Sequence, residues 1–196
     1  MFDQIELGRE FFERLQAIDL AIVGLAAAEG CRFCGGALHR GDHTRKPRGG
    51  VVAIAGEAFA RRFSLCCGRE GCRKRAMPPS VRFLGRRVYL GAVVIIASVV
   101  GLVATTARAI RCATGAPART TRRWIRWWRG PFVATAAFLD ICARLVPTPP
   151  RNELPTSILD RLDGDAASRV ARLLALVAPV TTTSLPDGSR FVRAAM

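Results

Sequence analysis

Five cysteines in two groups carry the residue types and spacing for metal chemistry. Cys31 and Cys34 form a CxxC step in CRFCGG, and Cys66, Cys67 and Cys72 follow in RFSLCCGREGCRKR. A CxxC turn presents two sulfurs to one ion because the chain reverses within four residues, and two such turns complete the tetrahedron zinc prefers. Gly35 and Gly36 relieve crowding behind the first turn. In the second group, Cys67-x4-Cys72 and Cys66-x5-Cys72 are both open. An extended RFSLCC points Phe63, Leu65 and Cys67 to one side, which favours Cys67 as the core-side ligand. The expected site is one Zn2+ held by Cys31, Cys34, Cys67 and Cys72. The 32 residues between Cys34 and Cys67 are a longer insert than a zinc ribbon usually carries.

Other uses of these residues fit less well. A redox CxxC follows a strand and opens a helix, whereas this one runs into a glycine-rich turn. His39 and His43 could replace a sulfur, but their spacing completes no finger pattern, and they read as strand or turn residues. Cys112 and Cys142 stand alone on helical stretches and read as core thiols. Seven cysteines is an odd number. The beginning of the chain, MFDQIELGREFFERL, lacks the basic region and cleavage site of an export signal. A reducing, cytoplasmic setting and metal ligation are therefore expected rather than disulfides.

Several elements must position these groups. Ile5, Phe11, Phe12, Leu15, Ile18, Ile22 and Leu25 recur at helical spacing and predict a helix over 2–28, stopped at Glu29-Gly30. Residues 31–79 lack that period. VVAIAG and FARRFSL read as short strands between glycine turns, the composition of a small module in which metal substitutes for a large core. Helices are expected over about 86–99 and 102–113, split near Gly101, and over 118–129 after Gly115 and Pro117. Another helical pattern opens at Pro131 with PFVATAAFLDICARLV. VPTPPRNELP reads as a linker, followed by SILDRL and DAASRVARLLALVA as a helical hairpin with Asp163 or Asp165 as cap. The tail TTTSLPDGSRFVRAAM reads as frayed.

The net charge of +15 is concentrated. Residues 31–130 hold 21 Lys and Arg against Asp42, Glu57 and Glu70, while residues 1–30 are net acidic. All but Lys46 and Lys74 of the cations are arginine, as codon usage in a GC-rich genome would favour, but codon bias does not explain clustering. Charge of this kind points to nucleic acid or an anionic membrane. On a helix over 118–129, Arg119, Arg122, Arg123 and Arg126 share one face, with Thr120 beside them. Thr121, Trp124, Ile125 and Trp128 fall opposite. Four like charges at i, i+3, i+4 and i+7 repel one another and gain from a polyanion. Arg73, Lys74 and Arg75 add a second basic group beside the cysteines. These eight residues are the candidate DNA contacts.

The run GAPARTTRRWIRWWR resembles the helix-turn-helix element of proteins encoded with bacterial insertion sequences. CRFCGGALHRGDHTRKPRGG and RFSLCCGREGCRKRAMPPSVRFLGRRVYLG resemble their zinc-ribbon region. The resemblance covers residues 31–130 and implies double-stranded DNA binding, with the metal module beside the reading helix. Thr121 stands where such helices usually carry an apolar residue, and Ala116 where Val or Leu is common. Larger transposases of this kind carry a carboxylate triad; no strand-like acidic constellation is evident here, which implies a non-catalytic accessory or regulatory binder, or a degenerate remnant. Its partners would be duplex DNA, a transposase encoded nearby and a further copy of the chain. The expected fold is α+β, mostly α: an N-terminal helix (1–30), a zinc ribbon (31–79), a helix-turn-helix domain (80–146) and a C-terminal hairpin (156–180). The rival is a single-pass protein of the inner membrane, because residues 88–107 form 20 positions without a charge, flanked by Arg86, Arg87, Arg108 and Arg111. In that reading the Trp-Arg segment is an interfacial anchor.

Overall fold

The computed structural model describes residues 7–46, 56–84, 89–104, 106–182, 184–185 and 188–196. It is mostly helical with small sheets, an α+β arrangement. Helix α1 (Arg9–Ala28) buries Phe12, Leu15, Ile18, Asp19, Ile22, Val23 and Ala26, a stripe at three- and four-residue spacing. The expected start of this helix, 1–6 with Ile5, lies outside the described residues.

The segment after α1 forms two small antiparallel sheets. β1 (Leu38–Arg40) pairs with β4 (Leu65–Cys67), which pairs with β5 (Arg75–Ala76). β2 (His43–Thr44) pairs with β3 (Arg61–Arg62). The strand expected in VVAIAG falls mostly outside the described residues. FARRFSL is not one strand: Glu57–Ala60 is a 3-10 turn, and the chain is pinned between β3 and β4. There the Ser64 N–H donates to Asp42 Oδ1 at 3.1 Å and its hydroxyl to the Gly41 carbonyl, so the pairing divides into two sheets.

A buried ion pair joins these layers. Arg82 Nε donates to Asp19 Oδ2 at 2.8 Å, with both side chains at 0–1% exposure. The Ser80 hydroxyl and the Val81 N–H complete the carboxylate, and Arg82 donates further to the carbonyls of Phe59 and Arg61. The guanidinium lies 4.4–5.2 Å from the centroids of Phe59, Phe63 and Phe83.

The apolar run then forms α2 (Gly91–Val103), followed by α3 (Ala107–Thr114) and α4 (Ala118–Arg129). The helix expected to end before Gly101 continues through it. Gly101 is where α4 crosses: a Cβ there would stand 2.5 Å from Thr121 Cγ2 and 3.0 Å from Ile125 Cδ1. The break comes at extended Ala104, and the Thr106 hydroxyl caps α3 by accepting from the Ala109 N–H. The run 88–107 is thus divided, and among the described residues no helix is long and apolar enough to cross a membrane. Trp124 and Trp128, which an interfacial anchor would present outward, are buried, and Trp128 Nε1 donates to Ser98 Oγ at 3.1 Å.

Helices α5 (Ala136–Arg144), α6 (Thr156–Leu159), α7 (Ala166–Val177) and α8 (Gly188–Ala195) complete the chain. The proline-rich 146–155 segment packs rather than dangles, with Pro149, Leu154 and Pro155 buried. Asp165 caps α7 through the Ser168 N–H. The described part of the tail is not frayed. Phe191 and Val192 are buried, and α8 lies against α1 with Arg190 paired to Glu29. The Thr-Ser run ahead of it bonds the backbone of 77–80: the Ser184 hydroxyl accepts from the Met77 N–H and the Thr181 hydroxyl from the Ser80 N–H. One continuous core holds Ile22 of α1, Phe63 and Leu65 of the sheets, Ile95, Trp128, Leu174 and Phe191.

Two stability predictions follow from these contacts. Asp19→Ala leaves Arg82 charged and unpaired in the core, and should cost about 3–5 kcal/mol in urea unfolding; a wild-type midpoint would show that the pair bears no weight. The Thr121 hydroxyl is buried with no partner among the described residues. Thr121→Val keeps the shape and removes that penalty, so the protein should gain about 1 kcal/mol; a lower melting temperature would contradict it.

Candidate metal centre and basic faces

The first cysteine turn follows directly from the end of α1. The N–H groups of Cys34 and Gly35 both donate to the Cys31 carbonyl, at 3.2 and 2.7 Å, and the Cys31 N–H donates to the Gly36 carbonyl. A Cβ on Gly36 would press on Cys34 Sγ, Cys67 Sγ and Arg69 Cβ at 3.1–3.4 Å, so glycine lets the two cysteine turns meet. The β1–β4 register places Cys67 opposite Leu38. The second turn mirrors the first: the N–H groups of Cys72 and Arg73 donate to the Arg69 carbonyl, and the Arg69 N–H points at Cys67 Sγ at 3.4 Å. Arg69 also ties the turns together by donating to the Cys34 carbonyl at 3.1 Å.

These turns bring Cys31, Cys34, Cys67 and Cys72 together with all four sulfurs within 4.8 Å of one another. Cys31 Sγ is 3.7 Å from Cys72 Sγ, and Cys34 Sγ is 3.5 Å from Cys67 Sγ. Metal–thiolate bonds of about 2.3 Å in a tetrahedron give sulfur–sulfur edges of about 3.8 Å, whereas a disulfide needs about 2.05 Å. The quartet can hold a metal ion. Cys66 Sγ turns away toward the carbonyls of Cys67 and Arg73.

The thiols do not ionise alike. The Gly36 N–H, opposed by burial and helped by the neighbouring sulfurs, holds Cys34 down at about 7. The Arg69 N–H acts in the same direction on Cys67, yet burial and the three other sulfurs push it up to about 12. Cys72 is also raised: the Lys74 N–H lowers it, but burial and the Cys34 and Cys31 sulfurs outweigh that bond. One thiolate forms near neutrality and suppresses the next. A divalent cation held by the four sulfurs would remove that conflict.

The two histidines lie outside the quartet. His39 pairs with Cys66 across β1–β4, and His43 lies in β2. Burial holds His43 below its ordinary range, reinforced by Arg45, Arg62 and Arg75. Cys142 packs half-buried on the core, as a core thiol should, but Cys112 is exposed, because it falls on the outer side of α3.

The candidate DNA contacts fall on two surfaces. On α4, Thr121, Trp124, Ile125 and Trp128 face inward, while Arg119, Arg122, Arg123 and Arg126 are exposed and Thr120 is half-buried. Among the described residues, none of those four arginines has a carboxylate within ion-pair distance. Arg129 instead donates to the Asn152 carbonyl. Gly115, in the left-handed conformation at φ 66°, turns the chain from α3 into α4. Arg73, Lys74 and Arg75 are exposed on the second cysteine turn and β5. The sequence reading missed Phe33, an exposed ring inside the CxxC turn, and Arg69. An aromatic between two ligand cysteines is the signal that could have found Phe33; nothing local marks Arg69. No protein-family model, curated protein or solved structure matches this chain.

Metal analysis tests the quartet. The wild type and Cys66→Ser should each bind one equivalent of Zn2+, while Cys31→Ser and Cys67→Ser should lose tight binding. Uptake should release protons in weak buffer, and because Cys67 and Cys72 hold their protons well above neutrality, zinc affinity should fall steadily as pH is lowered from the alkaline side through 7. Equal zinc content in Cys67→Ser and the wild type would remove Cys67 from the site.

Proposed function

We propose that this protein is a non-catalytic, zinc-containing DNA-binding protein, an accessory or regulatory partner of a bacterial mobile element. The single observation that carries the DNA reading is the arginine face of α4, four exposed guanidinium groups over an apolar back, without carboxylate partners among the described residues. Like charges at this spacing destabilise a helix by a few tenths of a kcal/mol per pair, a cost that a polyanion reverses. Arginine suits the task because its planar fork reaches phosphate oxygens and guanine edges in pairs. In this reading α3, the Gly115 turn and α4 act as a helix-turn-helix, and α4 enters the major groove of duplex DNA.

The four cysteines supply the scaffold. Zinc is the ion proposed because four thiolates in a tetrahedron are its common structural site. Seven cysteines, none of them in a disulfide, suit a reducing cytoplasm. The mobile-element association rests on the resemblance of the Gly115–Arg129 run and the cysteine segments. A neighbouring transposase and a further copy of this chain are the proposed protein partners.

Salt titration of duplex binding tests the proposal. Wild-type affinity should fall steeply with salt. Arg122→Ala/Arg123→Ala should weaken binding and reduce the slope of log K against log salt by about 1.8, the loss of two phosphate contacts. An unchanged slope would remove α4 from the interface.

A further inference from the structure

The exposed large apolar side chains of the described residues include a single aromatic ring, Phe33, at 57% exposure. Its place is unusual. It lies between two cysteines of the quartet, so its backbone is fixed by the Cys31 and Cys34 turn. Two long cations lie against it. The Arg32 guanidinium lies 4.6 Å from the ring centroid and the Lys74 ammonium 5.9 Å. Lys74 comes from the other cysteine turn, so the ring sits where both turns meet. Arg32, Arg69, Arg73, Lys74 and Arg75 are all exposed on these turns, against the acid Glu70.

A solvent-facing ring on a rigid backbone, flanked by two cations on flexible stems, has the composition of a stacking platform for an unpaired base. Every nucleobase has a π-face, so such a platform reads no sequence. Its cations follow the flanking phosphates. In duplex DNA the bases are already stacked and offer no face to Phe33. This surface therefore suits a different form of nucleic acid from the groove-binding face of α4.

We infer that the meeting point of the two cysteine turns is a second nucleic-acid site, in which Phe33 stacks on an unpaired base while Arg32, Lys74 and Arg73 hold the adjoining phosphates. Arg32 and Lys74 lie over the ring in the free protein. Each turns outward to a phosphate as the base takes its place. Cys31 and Cys34, held to a metal ion, would keep the ring from collapsing into the protein. The inference rests on the nucleic-acid reading above but concerns another surface and an unpaired ligand.

Fluorescence anisotropy with the zinc-loaded full chain tests it. The probes are a thymidine oligomer and a uridine oligomer of about 12 nucleotides, and a duplex of mixed sequence. Phe33→Ala should weaken oligomer binding about 5- to 150-fold, the factor that loss of one stacked base brings. Duplex binding should stay unchanged in that variant. Phe33→Trp should restore the oligomer affinity, and Phe33→Leu, of similar bulk but without a π-face, should not. Zinc content of each variant confirms that the cysteine turns are intact. Arg122→Ala/Arg123→Ala should do the reverse, losing duplex and keeping oligomer. Comparing the two oligomers separates DNA from RNA as the natural strand. Wild-type oligomer affinity in Phe33→Ala, or full rescue by Phe33→Leu, would overturn the inference. Equal competition by a polyglutamate of the same charge would also overturn it, as a surface that senses charge alone. Loss of duplex binding by the wild type would sink the α4 reading and leave the oligomer result standing.

Discussion

The Asp19–Arg82 pair is the interaction on which the other parts depend. Burying two charges is costly, and the cost is met only when every polar atom finds a partner. Here both carboxylate oxygens are used, and the guanidinium reaches two backbone carbonyls besides the acid. Those partners come from α1, from the 3-10 turn and the start of β3, and from the 80–83 corner. The pair thus fixes the direction of α1 relative to the small sheets. The quartet depends on that direction, because α1 delivers Cys31 and the sheets deliver Cys67.

A second buried cation reinforces the same corner. Arg62 donates to the carbonyls of Phe63 and Pro78, and burial pushes its pKa down to about 10, still charged at neutral pH. The large positive charge of this chain is therefore of two kinds. Arg62 and Arg82 are structural, held by carbonyls, rings and one acid. The arginines of α4 and of the cysteine turns are exposed. Composition alone does not separate them, since both kinds are arginine within one basic stretch.

This difference explains what could be read in the sequence. The quartet and the two faces of α4 follow from local spacing: CxxC reverses the chain, and a 3.6-residue period sorts Arg from Trp. Cys67 over Cys66 follows from strand alternation, since Phe63, Leu65 and Cys67 are buried together. The features least legible locally involve partners distant in sequence. Gly101 looks like a breaker until α4 is laid across it. TTTS looks like a loose tail until the hydroxyls of Thr181, Thr182 and Ser184 meet the backbone of 77–80. Asp19 looks like one more acid on an amphipathic helix, and only the fold brings Arg82 beside it. Nothing in a window of ten residues contains these pairings.

The crossing at Gly101 bears on how α4 would meet a ligand. With no side chain on Gly101, Thr121 and Ile125 of α4 pack directly on the α2 backbone. Sliding or rolling α4 would drive those side chains into the α2 backbone. The angular phase of its outer face is thus set by the core, as a key's teeth are set by its shaft. An anion arriving at that face meets a helix whose backbone freedom was already spent in folding. Only the arginine torsions remain to be ordered, and recognition by such a face loses little entropy beyond them.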